Sequence, residues 1–84
     1  MIGFTLYVAE WSKASKDVEE LISSFGEQFK LPEIVISRRE NSEADHDARA
    51  VRIYPTFVKT VDGVEVSRSV GPMDLIALVE STKE

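Results

Sequence analysis

The sequence predicts one α/β domain: a four-stranded mixed sheet flanked by three helices, in the order β-α-β-α-β-β-α. Three observations lead there. Residues 2–9 form an almost continuous apolar run rich in β-branched and aromatic types. From residue 15 the apolar positions switch to helical spacing. Late in the chain, two β-rich runs flank Asp62-Gly63. The 84 residues suffice for a single domain, 1–84, with a small and efficient core.

The first run is short and apolar throughout, as in a strand buried on both faces, so it is expected at the sheet centre. Val18, Leu21, Ile22, Phe25 and Phe29 then make one helical stripe. Asp17, Glu19 and Glu20 are expected in the first turns, where they favour the positive end of the helix dipole. Gly26 weakens the late part of this helix. Beyond Pro32, residues 33–37 read as a second strand. Ser42 and Asp45 are spaced as a capping box that opens a short helix over residues 43–50. Tyr54-Pro55 then requires extended chain. Asp62-Gly63 suits a two-residue type I′ turn between two strands. The second of them, with Val64, Val66 and Val70 alternating with polar residues, is expected to be half exposed, and Arg68 breaks its inner set. Pro72 fits the first position of a last helix, whose buried face is Leu75, Ile76 and Val79.

Composition narrows the function. The net charge of -5 and the scattered basic residues disfavour a nucleic-acid surface, because phosphate contacts need Lys and Arg. No apolar run approaches the roughly 18 residues that span a bilayer. The first residues lack the basic start of a signal peptide, so the expected location is cytoplasmic. The chain has no cysteine, hence no disulfide, thiolate metal site or thiol chemistry. No cofactor motif is present, and no metal site is expected. His46 lies between Asp45 and Asp47, but adjacent helical residues point apart, so it reads as part of a solvated acidic face. Arg49 and Arg52 read as surface residues or ion pairs, and Arg68 as a side chain that snorkels to the sheet edge.

Three local patterns, spread over nearly the whole chain, resemble the thioredoxin/glutaredoxin-like superfamily. The first strand ends in Ala-Glu-Trp at residues 9–11, and Ser12-Lys13-Ala14-Ser15 follows. Tyr54-Pro55-Thr56 is similar to the family's cis-proline motif. Residues 61–71, VDGVEVSRSVG, are similar to its closing hairpin and following glycine. The resemblance implies a thioredoxin-like fold and an ancestral thiol–disulfide exchange activity. Ser12 and Ser15 take the catalytic places of the Cys-x-x-Cys pair, by natural loss or by engineered Cys-to-Ser replacement. In that motif the first thiol gains acidity from the helix N-terminus, and the second resolves the mixed disulfide. A serine hydroxyl does neither, so the chain as written is expected to be redox-inactive. The family's buried acid on the first strand would fall at Leu6, and glutaredoxin-like members also lack it.

The resemblance further implies a protein or peptide partner bound to a monomer at a surface made by Trp11, Lys13, Ala14, Tyr54, Pro55 and Thr56, by a form of strand addition. No convincing residue set for glutathione is present. By themselves, Ser12 and Ser15 are also good helix caps. A serine hydrolase is disfavoured: there is no Gly-x-Ser-x-Gly elbow, and the single histidine has no evident reason to approach. The alternative function is a non-enzymatic interaction module. Residues 6–9, LYVA, and Pro55-Thr56 resemble the KaiB-like proteins, though the Asp-Gly hairpin fits them less well.

Overall fold

The computed structural model describes residues 1–83. Four strands, β1 (Ile2–Val8), β2 (Val35–Arg38), β3 (Thr56–Val61) and β4 (Val64–Val70), form one sheet in the order β2-β1-β3-β4. Strand β1 pairs in parallel with β2 and antiparallel with β3, and β3 pairs antiparallel with β4. Three helices complete the fold: α1 (Lys13–Phe25), α2 (Glu43–Ala48) and α3 (Leu75–Ser81).

Side chains of a strand alternate between sheet faces, and β1 buries both. Phe4, Leu6 and Val8 join Val18 of α1, Phe57 of β3 and Leu78 of α3 in one core. Tyr7 and the following Ala9 join Val51, Tyr54 and Val58 in a second core on the opposite face. Strand β1 is therefore central because its sequence is apolar on both faces.

Helix α1 starts earlier than its apolar stripe indicates. Ser12 is its N-cap, so the first turn carries Lys13 and Lys16 and no acid. Asp17, Glu19 and Glu20 all lie beyond that turn. The helix stops at Phe25, with Gly26 as its C-cap. Phe29 thus leaves the expected stripe; it is 42% exposed and meets the Phe25 ring at a centroid distance of 6.2 Å. Strand β2 begins two residues later than expected.

A single 3-10 turn, Arg39–Asn41, leads into α2. Ser42 makes no side-chain capping bond. Its backbone, at φ -145° and ψ 39°, lacks the extended geometry that aims a cap oxygen at the helix, so the expected capping box does not form.

The hairpin turn is as expected, with positive φ at Asp62 (52°) and Gly63 (82°). Strand β4, however, is exposed along its whole length rather than half buried. It is an edge strand, and its pairing with β3 slips between Lys59 and Thr60: Lys59 opposes Ser67, whereas Thr60 opposes Glu65. Val66 is the extra residue of this bulge and breaks the valine alternation. The same bulge brings Glu65 and Arg68 to one face, where Arg68 Nη2 lies 2.8 Å from Glu65 Oε1. Arg68 also donates to the carbonyls of Arg49 (2.8 Å) and Ala50 (3.2 Å), just past the end of α2. Its guanidinium ties α2 to the sheet, which is more specific than snorkelling. Arg49 and Arg52 do form surface ion pairs, with Asp45 and Asp47.

Helix α3 starts three residues after Pro72. Its N-cap is Asp74, whose Oδ1 accepts from the Ala77 N–H at 2.8 Å. The later start rotates the inward stripe to Leu75, Leu78, Val79 and Thr82. Leu78 is fully buried, whereas Ile76 is 75% exposed. Leu78→Ala is therefore expected to lower stability by about 2–5 kcal/mol. Ile76→Ala should stay within about 0.5 kcal/mol of the parent. Urea unfolding of the two variants checks both.

Candidate functional site

The joint between β1 and α1 folds around its two serines. The Ser12 N–H donates to the Ala9 carbonyl at 3.0 Å, which turns the chain sharply after the strand. Ser12 Oγ accepts from the Ser15 N–H (3.2 Å) and donates to the Tyr54 carbonyl (3.5 Å). Ser15 Oγ accepts from the Ala9 N–H at 3.4 Å. Both serines are buried, Ser15 completely. Ser12 thus caps the helix and reaches across to the loop before β3, while Ser15 ties the first turn back to the strand.

That loop carries a cis peptide bond between Tyr54 and Pro55. The Pro55 carbonyl accepts from the Gly71 N–H at 2.8 Å, and the Thr56 hydroxyl donates to the Ile53 carbonyl. The expected contact residues separate into two groups. Trp11 and Lys13 are exposed and Ala14 is half buried, whereas Tyr54, Pro55 and Thr56 are buried. The Trp11 ring, 72% exposed, stands edge-on to Tyr54 at 5.5 Å. Two shallow depressions flank it. One, of about 130 Å³, is lined by Glu10, Trp11, Arg39, Glu40 and Glu43. The other, of about 210 Å³, is walled by Trp11, Tyr54, Val51, Arg39, Arg52 and Asp47. A larger depression of about 370 Å³ is lined by residues of α1 alone and has no part in the joint.

His46 is not part of a solvated face. It is fully buried against the sheet. Nδ1 lies 2.7 Å from the Tyr54 hydroxyl and Nε2 lies 2.9 Å from Ser37 Oγ. The imidazole stacks on the Tyr54 ring at 5.6 Å and meets the Tyr7 ring edge-on at 4.9 Å. Asp45 and Asp47 point outward to arginines, so the residue between them faces in. The available signal was compositional: α2 is short and polar, and its one ring is the only sizeable group with which it can dock. Burial pushes His46 below its ordinary value; Arg39 adds to this, and Asp45 and Asp47 oppose it. Burial likewise pushes the neighbouring Tyr7 phenol up.

Both imidazole nitrogens are engaged by Ser37 and Tyr54, and among the described residues no His, Asp, Glu or Lys side chain hydrogen-bonds Ser12 or Ser15. Among the described residues no cluster of His, Asp and Glu could hold a metal ion. No helix among them is long and apolar enough to cross a membrane.

Solved structures share this architecture. The chain superimposes on Fasciola hepatica thioredoxin with a TM-score of 0.82 and 21% identity, covering 96% of this chain and 77% of that one. The chain has the thioredoxin fold. Mitochondrial thioredoxin 3 of Saccharomyces cerevisiae gives a TM-score of 0.79 at 18% identity, with 96% and 76% covered. A thioredoxin mutant from Halobacterium salinarum NRC-1 gives 0.76 at 24%, with 96% and 71% covered. No family model matches the chain, and no curated protein does. At this level of identity the likeness extends to the thioredoxin fold and no further.

Two measurements test this account of the joint. Ser12→Ala should cost about 1 kcal/mol through the lost cap, and Ser15→Ala about 1–3 kcal/mol through the unpaired Ala9 N–H, both read by urea unfolding. The second concerns pH. His46 is held below its ordinary value in the fold, so the unfolded chain takes up the proton first. The contribution is complete above about pH 6.5. It is lost as the pH falls from there through the lower native value. Urea midpoints at pH 7.5 and 5.5 should differ in the parent and converge in His46→Gln.

Proposed function

We propose that this chain is a thioredoxin-fold protein whose ancestral chemistry is thiol–disulfide exchange, and which, with serine at positions 12 and 15, binds a protein or peptide without turning it over. The single observation that carries this reading is the joint itself. Two small hydroxyl residues one turn apart, Ser12 as the cap of α1 and Ser15 in its first turn, sit directly beside the cis Tyr54-Pro55 bond, in the arrangement that the Cys-x-x-Cys resemblance implies.

The surroundings support binding. Three exposed apolar residues, Trp11, Ile53 and Val70, border the joint: Trp11 touches Tyr54, Ile53 lies two residues before Pro55, and Val70 opposes Thr56 across the hairpin. Exposed aromatic and aliphatic groups around a rigid backbone are what an extended peptide can cover. The tight Asp62-Gly63 turn, with both residues at positive φ, favours this reading over the KaiB-like alternative.

The test is to restore the thiols. The Ser12→Cys/Ser15→Cys variant should form an intramolecular disulfide with a potential of about -270 to -200 mV, the span of thioredoxins and glutaredoxins, and should reduce insulin disulfides. The parent should do neither. A pair that does not close, or that closes but reduces no protein disulfide, would sink the exchange ancestry and leave a binding module. Within the restored background, Trp11→Ala should raise the KM for insulin while leaving stability within about 0.5 kcal/mol, because the ring is mostly solvated.

A further inference from the structure

The buried His46 connects three parts of the molecule that bear on the joint. It belongs to α2, it bonds Ser37 of β2, and it bonds the Tyr54 hydroxyl in the loop whose carbonyl receives Ser12. Tyr54 in turn is the ring against which exposed Trp11 rests. A line of direct contacts therefore runs from an ionisable group at the core to the aromatic residue at the candidate binding surface.

The donor roles along that line follow from elementary chemistry. A neutral imidazole has one N–H and one bare nitrogen. The phenol is far more acidic than an aliphatic alcohol, so Tyr54 is the better donor, and its contact is the shorter at 2.7 Å against 2.9 Å for Ser37. The Ser37 backbone also favours a proton on His46, as an acceptor beside an imidazole N–H does. Neutral His46 thus accepts from Tyr54 at Nδ1 and donates to Ser37 from Nε2. When a proton arrives at Nδ1, both nitrogens become donors. The Tyr54 hydroxyl, which also faces the Arg39 guanidinium, must then accept from His46, so its oxygen stands between two cations.

We propose that His46 is a proton-operated positioning residue, which sets the Tyr54 hydroxyl and through it the placement of Trp11, so that mild acid remodels the candidate binding surface while the fold persists. The proton adds to Nδ1, the Tyr54 O–H···N bond is lost, and an N–H···O bond to the same oxygen replaces it. The charged groups nearest His46 are Asp45 and Asp47 on α2 and Arg39 on the preceding turn, with Tyr7 facing it from β1. Arg49, Glu65 and Arg68 lie farther out, beside Tyr7. Among the described residues no carboxylate hydrogen-bonds the ring, and the Arg39 guanidinium that faces the Tyr54 hydroxyl also lines both depressions beside Trp11. This regulation rests on the proposed binding surface, but its first effect needs no ligand.

The chain has one histidine and one tryptophan, so each is an unambiguous reporter. The experiment follows the His46 ring resonances and the Trp11 indole N–H of the full chain by NMR from pH 8 to pH 5, with far-UV circular dichroism alongside. The expected result is one shared midpoint for both reporters, below the ordinary histidine value of 6.5, with the dichroism unchanged. Tyr54→Phe, which keeps the ring and removes the hydroxyl, should leave His46 titrating and uncouple Trp11. The proposal is overturned if Trp11 does not follow His46, if Trp11 still follows it in Tyr54→Phe, or if His46 gains its proton only as the dichroism collapses. Restored-thiol activity in the Ser12→Cys/Ser15→Cys variant reports separately on the binding surface, so either idea can fail alone.

Discussion

The end of β1 is the constraint on which the rest of the structure depends. Tyr7 is opposed by Ser37 on one side and Thr56 on the other, so the strand is hydrogen-bonded along both edges. Both of its faces are buried as well. A strand enclosed on four sides has little freedom, and the residue after it inherits that rigidity. Ala9 uses its carbonyl for the Ser12 N–H and its N–H for Ser15 Oγ. The start of α1 is therefore fixed by the sheet centre rather than by helix propensity. A site built at such a joint is held by the core of the domain, which is how precise positioning is obtained from few residues.

The opposite face of the sheet solves a different problem. Helix α2 is only six residues long and rich in charge, so it cannot dock through an apolar stripe. It docks through two polar devices. His46 enters the sheet face between Tyr7 and Tyr54 with both nitrogens satisfied, and Arg68 reaches over from β4 to hold the carbonyls past its end. Every buried polar side-chain atom among the described residues has a partner. That balance makes a polar interface stable, and it makes the interface sensitive to a change in charge, because a partner that switches from acceptor to donor must be answered by its neighbours. The bulge in β4 serves the same interface by turning Arg68 and Glu65 to one side, and a bulged, charged edge also resists pairing with other strands.

Substituting serine for cysteine at a joint of this kind is structurally conservative and chemically decisive. The hydroxyl keeps the helix cap and adds a weak bond to the Tyr54 carbonyl, yet it neither ionises near neutrality nor forms a disulfide. In this chain the corner is rigid and has an exposed tryptophan beside it.

The element order, the central position of β1, the Asp62-Gly63 turn and the place of Ser12 and Ser15 at the start of a helix were all legible in the amino-acid sequence. These are local properties: apolar runs, periodicity, and residues that tolerate positive φ or cap an adjacent N–H. Tertiary structure decided what locality cannot. The inward face of α3 was set by the Asp74 cap, which rotated Ile76 out and Leu78 in. The full exposure of β4 followed from its edge position and its bulge. The burial of His46 required Tyr7, Ser37 and Tyr54, which lie on three other segments and meet only once the sheet has formed. Tyr54 and Thr56, read as surface residues, are buried because the cores close over them. A hydrogen bond between distant residues leaves no periodic trace in a sequence, so the polar contacts that shape this site became visible only in the folded chain.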